Sequence, residues 1–155
     1  MTTVKRVAVS AFFATCLLAT AGQAQNGRLN PTNGTVTLQA GFMPDPYARS
    51  LRAGGENYMS GTLGCIGGGW FSNPPDYRVQ YRAGRYPSLV FYVYAAGDTV
   101  LLISDPQARW HCNDDYSGRD PAVRISNPVS GQYDIWVGTY NRSRVERATL
   151  YISER

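Results

Sequence analysis

The chain has 155 residues, enough for one domain with extensions and too few for two independent catalytic domains. With 43% hydrophobic, 17% charged and 12% aromatic residues, it is neither disordered nor a coiled coil. The formal charge of +4 includes Lys5 and Arg6, which fall in an N-terminal segment read below as removed. The remainder contains no Lys and carries a net charge of about +2, which argues against a nucleic-acid partner.

Residues 1–24 read as a secretory signal peptide. Lys5 and Arg6 form a basic start, Val7 to Ala21 an apolar stretch, and Gly22 and Ala24 the small residues before a cut ahead of Gln25. The apolar stretch is too short for a membrane anchor, and no later segment approaches the roughly 20 apolar residues of a spanning helix. Export leaves two cysteines, Cys65 and Cys112, which an oxidising compartment pairs by default. The chain-entropy model gives such a bridge about 4 kcal/mol, less any strain.

Residues 25–40 read as a polar linker followed by a first strand, Thr35 to Leu38. Turn residues Pro44, Pro46, Gly54 and Gly55 flank an extended piece from Arg49 to Ala53. Gly67-Gly68-Gly69 lacks the Gly-Lys-Ser/Thr ending of a phosphate loop and reads as a plain loop. From Tyr77 the period is two: Tyr77, Val79 and Tyr81 alternate with Arg78, Gln80 and Arg82. Two near-continuous apolar runs, Ser88 to Tyr94 and Thr99 to Ser104, read as a buried hairpin across Ala96-Gly97-Asp98. Further strands are expected at Ala108–Cys112, Ala122–Ile125, Gln132–Tyr140 and Ala148–Ile152. About eight short strands and no sustained helical spacing predict an all-β, antiparallel β-sandwich, with Trp110 and Trp136 in its core.

Few residues suit catalysis. His111 is the only histidine and sits beside Cys112, so a Ser–His–acid triad has one candidate base in an unpromising place. No Gly-x-Ser-x-Gly elbow occurs, and without Lys in the exported chain neither a Schiff base nor a Ser–Lys dyad is available. Asp114 with Asp105 or Asp120 has the residue types for glycoside hydrolysis, but spacing alone supports no pairing.

Two segments are candidates for binding. Asn113, Asp114, Asp115 and Asp120, with Asp105 or Asp98 on neighbouring turns, supply hard oxygen ligands of the type Ca²⁺ takes, without the spacing of an EF-hand. The alternative for the same residues is local: Asx turns at Asn113 and Asp114, and pairing of Asp115 or Asp120 with Arg119 or Arg124. The second candidate is the strand around Tyr77, Arg78, Tyr81, Arg82 and Arg85, whose arginines would form a positive stripe toward an acidic polysaccharide or an acidic protein face. Its alternative is an ordinary solvated strand face beside an aromatic core.

Several of these segments together resemble the bacterial pre-peptidase C-terminal domain family: Asp98 to Ile103, Trp110-x-Cys-Asn-Asp-Asp115, Pro128-x-Ser-Gly-x-Tyr133-x-Ile-Trp-Val137-x-Thr-Tyr140 and Ala148-x-Leu-x-Ile152. Phe42-x-Pro-Asp-Pro-Tyr47, Ala53-Gly-Gly55 and Pro75-Asp-Tyr77 look like its upstream part, so the resemblance spans residues 41–155. It implies a jelly-roll-like sandwich, usually appended to secreted proteases and not itself catalytic, related to modules that bind extracellular polymers, sometimes with calcium. Asn113, Asp114 and Asp115 match the family's acidic turn. Lacking a protease domain, the chain departs from the common arrangement.

The sequence thus leads to an exported, periplasmic or secreted, non-catalytic module recognising an extracytoplasmic protein or polysaccharide. It requires no cofactor, and Ca²⁺ is a candidate ligand. The alternative is a protease-associated accessory or inhibitory domain, and Tyr-rich strand faces suit a homo-oligomer as well as a ligand.

Overall fold

A computed structural model describes residues 25–60, 68–141 and 145–155. The expected signal peptide, residues 1–24, and Cys65 and Gly67 lie outside the described residues. Among those described there is no helix, and eleven strands form two sheets. The chain is all-β, a two-sheet sandwich.

The larger sheet contains β1 (Thr35–Gln39), β3 (Asn57–Met59), β4 (Gly69–Phe71), β5 (Tyr77–Arg82), β7 (Thr99–Ser104), β8 (Trp110–Asn113) and β10 (Gly131–Thr139). Its centre is β10, which pairs antiparallel with β5 and β4 along one edge and with β7 along the other. The smaller sheet runs β2 (Tyr47–Ala53), β11 (Glu146–Ser153), β6 (Ser88–Ala95), β9 (Ala122–Ser126), all antiparallel. The exception to the antiparallel expectation is β1, which joins β5 in parallel. The short β3 and β4 carry too few residues to show a period, which is why neither was expected from the sequence.

Alternation places one face of each strand inside. Tyr77, Val79 and Tyr81 of β5, Leu101 and Ile103 of β7, and Tyr133, Ile135 and Val137 of β10 meet Leu89, Phe91 and Val93 of β6 and Leu150 and Ile152 of β11 in one buried core. Each such side chain contributes roughly 1.5–3 kcal/mol by leaving water. A second, smaller core of Phe71, Val100, Leu102 and Trp136 lies on the outer face of the larger sheet, with Trp110 and Cys112 packed over it. Trp110 and Trp136 meet at 5.4 Å between ring centroids. This second layer explains why β7 reads as a near-continuous apolar run.

The expected hairpin between the runs at 88–94 and 99–104 does not form. β6 pairs with β11 and β9, whereas β7 pairs with β10 and β8, so the turn at Ala96–Asp98 carries the chain from one sheet to the other. Strands apolar on both faces carry no pairing preference in their pattern, and a short connection arches between sheets as readily as it folds a hairpin.

The segment expected to be a linker is instead fixed to the larger sheet. Gln25 is buried. The Asn26, Thr32 and Asn33 N–H groups donate to the carbonyls of Asn73, Pro75 and Asp76. Arg78 Nη2 donates to the Gly27 and Leu29 carbonyls at 2.6 and 3.0 Å. The buried Asp76 carboxylate accepts from the Val137 N–H and from the Ser72 and Thr32 hydroxyls, tying this strap to β10. At the opposite end, the buried Glu154 accepts from Tyr81 Oη at 2.6 Å and the Gly41 N–H at 2.7 Å.

Candidate functional site

The arginine stripe expected on β5 is not a surface. Tyr77 and Tyr81 are 2% and 3% exposed and belong to the inner core; their hydroxyls engage Tyr47 and Glu154. Burial raises both phenols well above their ordinary range, so they stay neutral. Arg78 points outward but is covered by the N-terminal strap. Its side chain is 13% exposed and its Nε lies 2.6 Å from Asp134 Oδ1. Arg82 and Arg85 alone remain exposed. Alternation along β5 correctly separated two faces, but the sequence concealed that both are covered.

The acidic loop is partly committed to its own protein. Asp105 is buried and accepts from the Gln107 and Arg109 N–H groups, Arg109 Nε at 2.8 Å and His111 Nε2 at 3.0 Å. Burial alone would raise its pKa, but the hydrogen bonds from His111, Arg109 and Gln107 together hold it down at about 2. His111 is thus turned toward a structural carboxylate. Asn113 Oδ1 accepts from the Ala122 N–H at 3.0 Å, which ties β8 to β9. Asp114 is half-buried and Asp115 exposed. Burial and the negative charges of Asp115 and Asp114 raise the pKa of Asp98, against the pull of Arg119. Among the described residues, no three His, Cys, Asp or Glu side chains gather in a geometry that would hold a metal ion. Arg124, the alternative partner for Asp115 or Asp120, donates to Ser88 Oγ at 2.6 Å, although it lines a cleft with Asp120. Cys112 is disulfide-bonded, and its expected partner Cys65 lies outside the described residues.

The surface that does gather chemistry-bearing side chains is the outer face of the smaller sheet. Register places Tyr151 of β11 opposite Tyr92 of β6, and Thr149 opposite Tyr94. The rings of Tyr92 and Tyr151 stack at 5.0 Å with an 8° interplanar angle. Tyr94 stands edge-on to both at 5.6 Å and is 54% exposed. Tyr92 and Tyr94 also line a cleft of about 320 Å³, together with Tyr116, Ser117, Asp120 and Arg124. That volume is at the lower end of ligand-pocket sizes. Tyr116 is 77% exposed. Asp120 Oδ1 is buried with no hydrogen-bond partner among the described residues, although the Asp120 backbone pairs with Ser117. An unpaired carboxylate oxygen at a cleft invites a donor from a ligand.

Sequence reasoning missed this face because Ser88 to Tyr94 reads as one apolar run. Tyrosine counts as apolar in such a pattern yet sits comfortably half in water. The available signal was the Tyr92-x-Tyr94 spacing, which puts two phenols on one face of a strand.

No protein-family model matches the chain, and no curated protein matches it. Among solved structures, it is similar to a crystal structure of Aeromonas hydrophila PliG, a periplasmic lysozyme inhibitor of g-type lysozyme. That match has 17% sequence identity, covers 77% of this chain and 96% of that one, and has a TM-score of 0.34. Similarity at this level bears on neither function nor partner.

Proposed function

We propose that the protein is an exported, non-catalytic binding module that recognises an extracytoplasmic macromolecule through the outer face of its smaller sheet. The observation that carries this reading is the Tyr92–Tyr94–Tyr151 trio, a contiguous aromatic surface left open to solvent beside a cleft with an unpaired carboxylate oxygen. The sequence of residues 1–24 and the bonded state of Cys112 support export. The pre-peptidase C-terminal resemblance is kept as part of this proposal, supported by the Asn113–Asp115 turn and the Ser130-Gly131 entry into β10.

Affinity electrophoresis of the purified protein in gels containing soluble polysaccharides tests the reading. The wild type should be retarded by at least one of them, and the Tyr92→Ala/Tyr94→Ala variant should not, at an unchanged thermal melt. Retardation unaffected by the two substitutions contradicts the assignment of the face. Steady turnover of a glycan or protein substrate that Asp114→Ala abolishes contradicts the non-catalytic reading.

A further inference from the structure

The charges flanking the tyrosines indicate the class of ligand, an inference that rests on the binding reading above. Register orders the outward side chains of the smaller sheet into rows. At one end Arg147 of β11 lies directly opposite Arg52 of β2. The next row is Ser50, Thr149 and Tyr94, the next Ala48, Tyr151, Tyr92 and Ala122, and the last Val90 and Arg124 beside Ser153. Rows on one face repeat about every 7 Å, so the rows that carry the arginines lie about 20 Å apart along the strands, with the tyrosines between them.

Like charges directly opposed on neighbouring strands destabilise a sheet. Arg52 and Arg147 are both exposed, and neither takes part in an ion pair among the described residues. They open onto a shallow groove of about 520 Å³, lined also by Asn33, Ser50 and Thr149. Two guanidiniums beside two hydroxyls and an amide form a donor set for an anion. The acids nearest them in sequence do not share this groove: Glu146 alternates to the other face of β11, in a pocket with Gly97, Asp98 and Arg119, and Glu56 is itself engaged, while Asp45 is paired with Arg155 and Asp120 lies with Arg124 in the cleft at the far end of the face.

We propose that this face binds an acidic polysaccharide, with carboxylate or sulfate groups on Arg52 and Arg147 and sugar rings against Tyr94 and its partners. Each half of the arrangement selects against another partner. A neutral glycan would leave the arginine pair unanswered, and an extended acidic polypeptide without rings would leave the tyrosines bare.

Titration calorimetry of the whole protein tests this with four probes: polygalacturonate, dextran sulfate, neutral dextran and polyglutamate. Polygalacturonate or dextran sulfate, or both, should bind, with affinity falling as salt rises, and the two probes identify the anionic group. The Arg52→Gln/Arg147→Gln variant should lose about tenfold or more in affinity, while its melting temperature stays level or rises because the repulsion is gone. Tyr94→Ala should weaken the same titration. Dextran binding as tightly as the acidic glycans, still weakened by Tyr94→Ala, overturns the acidic class and leaves the binding face standing. Polyglutamate binding as tightly overturns the polysaccharide in favour of an acidic protein. Binding of either acidic glycan unaffected by all three substitutions overturns both this inference and the reading it rests on, and no binding by either acidic glycan overturns this inference.

Discussion

Arg78 distinguishes a structural arginine from a recognition one. Its guanidinium makes three charge-assisted contacts: to Asp134 at 2.6 Å, to the Gly27 carbonyl at 2.6 Å and to the Leu29 carbonyl at 3.0 Å. The Arg78 and Asp134 side chains are only 13% and 8% exposed. Hydrogen bonds to charged groups are worth about 1.5–3 kcal/mol each, but they share one side chain and do not add. Breaking a buried pair from one side costs about 3–5 kcal/mol. Asp134 keeps one partner, Gln132 Nε2 at 2.8 Å, which moderates the penalty. Arg78→Met, which preserves much of the side chain's apolar volume, should therefore destabilise the protein by about 3 kcal/mol, lowering the melting temperature by roughly 10 °C. Urea unfolding followed by tryptophan fluorescence reads this directly, because Trp136 donates to the Asn73 carbonyl beneath the same strap. Arg82→Ala and Arg85→Ala, both at exposed positions, should stay within about 0.5 kcal/mol of wild type. A loss under about 1 kcal/mol for Arg78→Met, or an equal loss at Arg82, would refute the reasoning.

Other outcomes are expected. Asp105, whose carboxylate is held at about pKa 2, contributes stability that is present above about pH 4 and is lost as pH falls through 2. Asp105→Asn should remove that acid limb from a pH–stability profile. Asp76 has the opposite sign. Burial outweighs its hydrogen bonds from Val137, Ser72 and Thr32 and pushes it up to about 7, so its contribution is fully present below about pH 4 and is lost as pH rises through 7; Asp76→Asn should flatten that decline. A Cβ on Gly138 would stand 2.6 Å from a Phe71 ring carbon, so Gly138→Ala should cost about 1–3 kcal/mol in urea unfolding, and a neutral result would mean that the outer core is loosely packed. Because Asn113 and Asp105 are committed to internal partners, thermal melts in calcium and in chelator should coincide, and a higher melt in calcium would show that the loop rearranges around the ion. For the proposed Cys65–Cys112 bridge, non-reducing mass analysis should find no free thiol in the chain from Gln25 onward.

The all-β class and most strand positions were legible because alternation and turn chemistry are local properties. Tyr77 to Arg82 and Ala122 to Ile125 show them plainly. Pairing was not local. The runs of β6 and β7 are apolar on both faces, so nothing in them distinguishes a hairpin from a crossing between sheets. Coverage was not local either. Arg78 reads as solvated until the polar segment before β1 folds over it, and Asn26, Gly27 and Asn33 carry no pattern announcing that they dock. The face proposed to bind combines residues from β2, β6, β9 and β11, brought together by register alone. Arg52 and Arg147, separated by most of the chain, become neighbours only when β2 and β11 pair.

Amide chemical-shift mapping during a polygalacturonate titration locates the recognition surface proposed for the outer face of the smaller sheet. The perturbed amides should cluster on β2, β6 and β11 around Arg52, Tyr92, Tyr94, Arg147 and Tyr151. Perturbations centred on Arg82 and Arg85, or on the loop from Asn113 to Asp120 with the sheet face silent, would contradict that placement.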